Sequence, residues 1–548
     1  MPDKHTKSGI GYEHCPNGAI ALALRQCAAA PMNIPNHPCL LQAKNVWEKI
    51  ANQNGRSKLP INIADHRIGS LTRAFQRKER HASNSNQMNH PQPQSPTAAS
   101  DDRHIYSTAR GIAVKILTRV ERSDAYLDKL LGAELSQSDL SDADKRLLNE
   151  ITTGVLRWRG RLDWVLTGFY HGEFSKCLSI VKNAMRVALY QIMFLERIPH
   201  SAAVNESVEI VKRLKGEKSA AIVNGVLRSV IRKLNSITWP DRSSEPSYYL
   251  AAVQSHPQWL VRRWIEEFGM AETGHLLEAN NQRPRLTLRV NLLRTTREAV
   301  EQQLAADGIK TSRSPWLPSV LNVDGGFNIN ANGAFRQGLF TVQDEGATLA
   351  MHLAAPSPGI RVIDLCAAPG GKSTAMAELM QGQGQVIALD KYEPKLKLID
   401  EAAERLGLAQ VIRTAIGDAS NITLPPADLV VVDAPCSGLG TLSKKPDIKW
   451  KREPEDIPQL AALQRAILAN AAKLVKPGGV LLYSTCTIER RENQEVVEAF
   501  LADHPEFRLE PASEWLPKGM VTPEGFMQTL PHRHGLDGMF AARLRRGE

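Results

Sequence analysis

The sequence predicts an α/β protein, in which a doubly wound, largely parallel sheet over residues 339–548 follows an all-α domain and a small α+β domain. Residues 361–380 read as a buried strand, a turn of small residues and the start of an amphipathic helix. Further apolar strands follow, and each ends in polar residues. Upstream, residues 105–235 carry apolar side chains at helical spacing.

Composition fits a soluble protein of several domains. The chain has 548 residues, of which 42% are hydrophobic and 23% charged, so we expect about two to four domains. Its net charge of +10 favours a polyanionic partner such as nucleic acid, although a solvated basic surface without such a partner is the alternative.

The cysteines and the apolar runs exclude other classes. The seven cysteines show no CxxC pair, so the sequence predicts neither a zinc ribbon nor a disulfide framework, and we expect no metal. No apolar run is long enough to span a membrane. We therefore expect a cytoplasmic monomer with reduced thiols and no membrane partner.

Along the chain, residues 1–104 contain a tract rich in Ser, Asn, Gln and Pro, and we expect a disordered extension there. Residues 105–235 predict an all-α domain with basic outer faces, and residues 236–255 read as a linker. The small α+β segment, 256–338, is rich in arginine; such a cluster commonly holds phosphates, and an ordinary solvated surface is the alternative.

The turn at 366–372 predicts a nucleotide or nucleoside site. Gly370 and Gly371 allow positive φ and close approach of a ligand, and the helix that follows offers unpaired N–H groups. Adjacent glycines also occur at such turns for packing alone. However, the next strand, 385–390, ends in Asp390, where a carboxylate accepts hydrogen bonds from ribose hydroxyls. Together the two features favour a cofactor that contains adenosine.

Two cysteines follow later strands of the same sheet. Cys436 lies just beyond a strand that ends at Asp433, and Cys486 ends the strand over 479–486. Either thiol alone is most simply a buried apolar group. Both at sheet ends beside a cofactor loop predict a reactive thiolate.

Cytosine is a base that needs such a thiolate. Its C5 is a poor nucleophile, but addition of a thiolate at C6 gives an enamine whose C5 can attack an electrophilic methyl group. Asp433 could hold or protonate the ring at N3, and the second thiol could assist elimination of the product. The base must leave its stack to reach such a site.

The motifs that carry this chemistry are ordered segments of one pattern. They are Asp-Leu-Cys-Ala-Ala-Pro-Gly-Gly-Lys at 364–372, Asp-Ala-Pro-Cys-Ser-Gly-Leu-Gly at 433–440, Pro-Asp-Ile-Lys-Trp at 446–450 and Tyr-Ser-Thr-Cys-Thr at 483–487. In these motifs the chain resembles the RNA cytosine-C5 methyltransferase family. Segments 343–346 and 289–291 also match that family, and residues 105–235 resemble a NusB-like RNA-binding domain.

The resemblance implies a Rossmann-like class I methyltransferase domain that uses S-adenosylmethionine and modifies a cytosine of 16S rRNA, as naked RNA or in a partly assembled small ribosomal subunit. It implies that Cys486 is the nucleophile and Cys436 the residue that releases product. The implied cofactor-binding residues are Cys366, Ala367, Ala368, Pro369, Gly370, Gly371, Lys372, Asp390, Asp418 and Asp433. Two departures from the family pattern are Lys391-Tyr392 after the ribose acid and the first hundred residues.

Three other functions remain possible at this point. Within the enzyme class the substrate could be tRNA, because structured RNA is recognised by groups spread over several domains. An RNA-binding assembly factor would need neither Cys436 nor Cys486. A P-loop NTPase is suggested by Gly371-Lys372-Ser373, but Cys366 stands where the first glycine of that loop belongs, and Pro369 lacks an N–H group to bind phosphate.

Overall fold

The computed structural model describes residues 105–548, so the predicted disordered extension at residues 1–104 lies outside the described residues. The first part is a bundle of helices, which are α1 (Ala109–Arg122), α2 (Leu127–Gln137), α3 (Asp142–Phe169), α4 (Ser179–Phe194), α5 (His200–Lys215) and α6 (Glu217–Arg232). Helix α1 buries the predicted apolar face, including Ile112, Ile116 and Val120. Its first turn is capped by the Thr108 hydroxyl, which accepts a hydrogen bond from Gly111 N at 3.1 Å.

The structure differs from the prediction in the stretch 236–255, which was expected to be a linker. It contains helix α7 (Pro246–Val253), whose first residue is a proline at a position that needs no N–H donor. Ala251 and Ala252 of this helix are buried. The run Trp-Pro-Asp-Arg-Ser-Ser-Glu-Pro ends just where this short helix begins. Because these turn-forming residues precede the helix directly, the sequence pattern indicated a linker.

The small α+β domain is built on an antiparallel sheet with the strand order β2-β3-β1-β4. Its elements are α8 (Gln258–Phe268), α9 (Met270–Asn281), β1 (Leu286–Val290), α10 (Arg297–Ala306), β2 (Thr311–Arg313), β3 (Val320–Val323), α11 (Gly333–Arg336) and β4 (Phe340–Val342). Strand β4 pairs with β1, so this sheet extends beyond the boundary predicted at residue 338. Burial of Phe340 in the core of this domain explains the difference.

The C-terminal domain contains the predicted parallel sheet. Its elements are α12 (Glu345–Ala354), β5 (Arg361–Asp364), α13 (Gly371–Leu379), β6 (Gln385–Asp390), α14 (Glu393–Leu406), β7 (Ile412–Ile416), β8 (Ala427–Asp433), α15 (Ile448–Lys451), α16 (Asp456–Lys473), β9 (Val475–Thr485), α17 (Gln494–Asp503), β10 (Phe507–Glu510), β11 (Met527–Gln528), α18 (Pro531–His534) and β12 (Phe540–Arg546). Short 3-10 helices lie at Phe174–Lys176, Leu234–Ser236, Ile329–Ala331, Arg490–Glu492, Ala512–Glu514 and Lys518–Met520.

The strand order of the large sheet is β10-β12-β9-β8-β5-β6-β7, with β11 paired to β12. Strands β5 to β9 are parallel, and β12 and β10 add an antiparallel edge that the sequence did not predict. The chain moves outward from β5 in one direction through β6 and β7, and then in the other through β8 and β9. Ligands of such sheets bind beyond the carboxyl ends of the strands at this reversal. The predicted α/β Rossmann-like fold is therefore confirmed.

Within residues 105–548, no helix is long and apolar enough to cross a lipid bilayer.

Arg289 joins the small domain to the cofactor-loop helix α13. This arginine belongs to the cluster expected to hold phosphates, but its side chain is only 3% exposed. It binds Glu378 through two hydrogen bonds of 2.9 and 3.1 Å, and it donates to the Thr374 hydroxyl at 3.1 Å. Burial raises the pKa of Glu378 even though Arg289 opposes the shift. Arg289 is therefore a structural cation.

We expect Arg289→Met to lower the free energy of unfolding by about 3–5 kcal/mol at neutral pH, because it leaves the buried Glu378 carboxylate without its partner. The loss should shrink as the pH falls, since protonated Glu378 no longer needs a cation. Urea unfolding of the variant checks this. The matched control is Arg313→Met, which breaks exposed ion pairs with Glu298 and Glu301 and should change the free energy of unfolding little. Equal losses in the two variants would contradict this account of Arg289.

Candidate active site

The predicted site residues follow neighbouring strands of the large sheet. In the spatial order β9, β8, β5, β6, the strands lead to Cys486, Asp433, Cys366 and Asp390. Parallel strands bring their carboxyl ends to one edge, so residues distant in sequence meet there. The catalytic candidates lie on the β9 and β8 side, and the cofactor candidates lie on the β5 and β6 side.

The two predicted thiols are in contact. Cys436 Sγ lies 3.3 Å from Cys486 Sγ, and both cysteines are free. Backbone hydrogen bonds hold the loops that carry them, from Ala434 N to Ser484 O at 2.9 Å and from Gly440 N to Cys486 O at 3.1 Å. The sequence predicted each cysteine at the end of a strand, and the structure shows that the two side chains are in contact.

The contact makes the two thiols chemically different. A hydrogen bond from Cys436 is the main cause that lowers the pKa of Cys486, against the opposing effect of burial. The same hydrogen bond, followed by burial, raises the pKa of Cys436 well above its ordinary value. Cys486 is therefore the thiol more easily ionised, and Cys436 is held in its protonated form.

Lys372 and Asp433 form an ion pair beside the thiols. Lys372 Nζ lies 2.6 Å from Asp433 Oδ2, and Asp433 Oδ1 accepts a hydrogen bond from the Ser484 hydroxyl at 3.1 Å. Burial opposes the charge of Lys372, but the Asp433 carboxylate outweighs burial and the pKa of the ammonium is raised. A P-loop lysine would face phosphate, whereas this one is directed to the β8 carboxylate.

A group of buried polar side chains braces the two cysteine loops, and sequence reasoning missed it. Glu492 Oε1 accepts from Ser437 N at 2.8 Å and from Gln464 Nε2 at 2.9 Å. Asn493 accepts from the Thr485 hydroxyl at 2.6 Å and donates to Thr487 O at 2.9 Å, so it spans Cys486. The available signal was a Glu-Asn pair six and seven residues after Cys486, at fully buried positions that apolar periodicity does not identify.

The predicted cofactor loop, Cys366 to Lys372, forms a tight turn between β5 and α13. Ala367 N donates to Leu389 O at 2.8 Å, which ties the turn to β6, and Gly370 N donates to Ala367 O at 2.7 Å. Gly370 has φ of +100°, and a Cβ there would lie 3.2 Å from Ile399. Pro369 is exposed, Ala368 is partly exposed, and burial raises the pKa of Cys366. Two separate reasons, backbone conformation and close packing, therefore require glycine at position 370.

The two remaining acids have different environments. Asp390 is 7% exposed at the end of β6, and its Oδ1 accepts a hydrogen bond from Tyr392 N at 3.0 Å. Asp418 lies beyond β7 and is partly exposed; Lys391 and Ser420 bind it at 2.9 and 2.7 Å. The hydrogen bond from Lys391 is the main cause that lowers the pKa of Asp418. Lys391 is the residue that departs from the family pattern, and here it neutralises the acid at the end of the next strand.

Within residues 105–548, no group of three or more His, Cys, Asp or Glu side chains is arranged to hold a metal ion.

Three family models match the chain in consecutive segments. A model described as the NusB family matches residues 107–232, and one described as the ferredoxin-like domain of RsmF/B-like methyltransferases matches residues 256–330. A model described as 16S rRNA methyltransferase RsmB/F matches residues 350–545. These matches agree with the three folded parts of the structure.

Two solved structures share this architecture. "Crystal Structure of PH0851" has a TM-score of 0.69 and 28% identity, and the match covers 80% of this chain and 99% of that one. The structure of NSun6 from Pyrococcus horikoshii with SFG has a TM-score of 0.50 and 24% identity, and covers 54% of this chain and 100% of that one. The second likeness concerns the fold alone.

Two relatives that match over almost their full length carry one name. The chain is 38% identical over 448 residues to the "Probable ribosomal RNA small subunit methyltransferase B" of Bacillus subtilis (strain 168), with 80% of this chain and 99% of that protein covered. It is 36% identical to the protein of the same name from Synechocystis sp., with 80% and 99% covered. Given these identities over almost the full length of both relatives, the chain belongs to the ribosomal RNA small subunit methyltransferase B family of RNA cytosine-C5 methyltransferases.

Proposed function

We propose that this protein transfers a methyl group from S-adenosylmethionine to C5 of a cytosine in 16S rRNA, through a covalent adduct between Cys486 and C6 of the base. The observation that carries the proposal is the 3.3 Å contact between Cys436 and Cys486 at the ends of adjacent strands. RNA binding alone requires no such pair, and both thiols are partly buried at the ends of adjacent strands, so an accidental surface contact does not explain their proximity.

The residues of the loop fit S-adenosylmethionine. The Gly370-Gly371 turn lets a ligand approach the backbone, and the first N–H groups of α13 suit a carboxylate. Asp390 suits the ribose hydroxyls, and Asp418 lies one strand further out. The cofactor supplies an electrophilic methyl group. Cys366 through Lys372, Asp390, Asp418 and Asp433 are the residues that we assign to holding it.

The first step is addition to the base. The Cys486 thiolate forms a bond to C6, and the electrons of the C5–C6 double bond move towards C4 and N3 and make C5 nucleophilic. As charge develops at N3, Asp433 holds the ring there and passes a proton to N3, which the Lys372 ammonium at 2.6 Å supplies. C5 can then accept the methyl group.

The second step is release. Once C5 carries both the methyl group and its original proton, loss of that proton re-forms the C5–C6 double bond and breaks the C6–Sγ bond. We assign this step to Cys436, which lies beside the departing Cys486 sulfur. In the adduct Cys486 is uncharged and no longer holds the Cys436 proton by a hydrogen bond, so Cys436 releases that proton to solvent and accepts the C5 proton as a thiolate. The proton on N3 returns to Lys372 through Asp433. The cycle returns Cys486 as a thiolate, with no change in oxidation state.

The choice of 16S rRNA is supported by the names of the relatives and by the NusB family match. The same chemistry on tRNA would leave the cysteine roles unchanged. A methyl-transfer assay with naked 16S rRNA and with a partly assembled small subunit shows which of the two is the better substrate.

We expect Cys436→Ala to accumulate a protein–RNA adduct that survives denaturant, because it forms the C6–Sγ bond but cannot release it. Cys486→Ala should form no adduct and transfer no methyl group. The measurement is denaturing electrophoresis after incubation with unmethylated 16S rRNA and labelled S-adenosylmethionine. An adduct that appears only in Cys486→Ala would reverse the two roles. Methyl transfer to tRNA with none to 16S rRNA would contradict the proposed substrate.

We also expect the rate of adduct formation to depend on pH through Cys486. The hydrogen bond from Cys436 lowers the pKa of Cys486, so its loss in Cys436→Ala should raise that pKa. The rise of the rate with pH should then shift to higher pH in this variant, since only the thiolate adds to C6. Cys436→Ser, which keeps a donor, should shift less. A profile that is unchanged in Cys436→Ala would contradict this role of the contact.

Loss of the ribose acid should weaken cofactor binding. We expect Asp390→Ala to raise the dissociation constant of S-adenosylmethionine about tenfold or more, because hydrogen bonds to a charged group are lost. Calorimetry without RNA measures this directly. The control is Asp400→Ala on α14, whose carboxylate accepts hydrogen bonds from the Thr414 hydroxyl at 3.0 and 3.4 Å. Equal affinity of the Asp390 variant and the wild type would remove Asp390 from the cofactor site.

A further inference from the structure

The segment Asp447 to Arg452 lies between the helical domain and the loop that carries Cys436. We propose that the helical domain positions Cys436 for product release through this segment, with Arg452 as the positioning residue. The inference rests on the proposed function, because it assigns a cause to the release step. It gives the helical domain a role in the reaction in addition to RNA binding.

Asp447 and Trp450 attach the segment to the helical domain. Helix α2 has no side-chain cap of its own, and Asp447 Oδ2 accepts a hydrogen bond from Leu127 N at 2.9 Å at its first turn. A carboxylate in this position also interacts favourably with the helix dipole. Trp450 Nε1 donates to Leu156 O of α3 at 2.6 Å. The ring of Trp450 is partly buried, because it also packs against the core of the helical domain.

Lys449 is buried at the same interface. It is 1% exposed, and its Nζ donates to Arg157 O at 2.9 Å. Its other hydrogen-bond acceptor is Asn281 Oδ1 at 3.4 Å, and burial, followed by the charge of Arg157, lowers the pKa of Lys449 well below its ordinary value. A buried lysine needs hydrogen-bond acceptors, and Arg157 of the helical domain supplies one. The conformation of the segment therefore depends on that domain.

Arg452, at the end of the same segment, reaches the catalytic loop. Its Nε donates to Ser437 O at 2.9 Å, and its Nη2 donates to Cys436 O at 3.3 Å. The guanidinium therefore binds the backbone carbonyl of the release cysteine itself. On its other side the loop is held by Glu492 through Ser437 N. A shift of the segment would move Arg452 and leave Glu492 in place, so the loop that carries Cys436 would lose one of its two supports.

The consequence is a specific kinetic defect. Weaker support of Cys436 slows proton removal from C5, whereas Cys486, which is held by Asn493, still forms the adduct. We therefore expect the methylated adduct to accumulate in Arg452→Gln, Asp447→Ala and Trp450→Phe, with RNA affinity unchanged. The last substitution keeps an aromatic side chain and removes the N–H donor, so it perturbs packing less than truncation to alanine would. The adduct should exceed that of the wild type about fivefold or more, as expected for loss of one hydrogen bond.

The experiment measures, for the full-length variants, the denaturant-stable adduct, its methyl content and the dissociation constant for 16S rRNA. Cys436→Ala is run in parallel. The control Arg228→Gln removes an exposed cation of α6 whose side chain binds Asn224 of the same helix. Arg228→Gln should weaken the binding of 16S rRNA, because a positive charge is lost, and it should not accumulate adduct.

The outcomes are distinguishable. If Cys436→Ala accumulates adduct and the three segment variants do not, this inference is overturned and the proposed function stands. Accumulation in Arg452→Gln alone would overturn the role of the helical domain. Accumulation in Arg228→Gln to the same extent would overturn the specificity of the segment. If Cys436→Ala itself accumulates no adduct, the proposed function fails and this inference fails with it.

Discussion

The contact between the two partly buried thiols, at 3.3 Å, is the constraint on which the rest of the site depends. It requires strands β8 and β9 to be neighbours in register, so that Asp433 lies beside Ser484 and the two loops leave the sheet together. It also requires support for loops that have no regular structure. Glu492, Gln464 and Asn493 give that support through fully or nearly fully buried hydrogen bonds. Such buried polar groups are stable only when they are paired, so they fix one geometry.

The electrostatics of the site follow from the same geometry. Lys372 comes from the cofactor loop, but its ion pair with Asp433 crosses to the next strand and links the two halves of the site. Asp364, at the base of the loop, is fully buried, and burial raises its pKa to about 7. The thiol pair then divides its own proton unequally, which favours addition by Cys486 and retention of the proton by Cys436.

Much of the fold could be predicted from local patterns. The strand Gln385–Asp390 begins and ends as predicted, and the helices α1 to α6 lie within the range 105–235 that was predicted to be all-α. Asp390, Asp433 and Cys486 were identified at the ends of β6, β8 and β9, because a polar residue after an apolar strand can be recognised in the sequence alone. The cysteines were predicted at neighbouring strand ends, but nothing in the sequence states their separation.

The unpredicted parts depend on contacts between distant residues. Arg289 was grouped with surface arginines because its partner, Glu378, lies 89 residues away. Residues 446–450 matched a family motif, but the contacts of Asp447 with Leu127 and of Trp450 with Leu156 span about three hundred residues. Helix α7 and strand β4 differed from the predicted boundaries because their positions are decided by packing. Periodicity shows which face of an element is buried and does not show which other element covers it.

The most direct test of the account is to locate the bond between protein and RNA. The adduct isolated from the Cys436→Ala variant would be digested with protease and nuclease, and the peptide that carries a nucleotide would be sequenced by mass spectrometry. The account predicts one nucleotide, a cytidine that has gained a methyl group, attached to Cys486 in the peptide that contains Tyr483-Ser484-Thr485. A nucleotide attached to Cys366, or an adduct with a base other than cytosine, would contradict it.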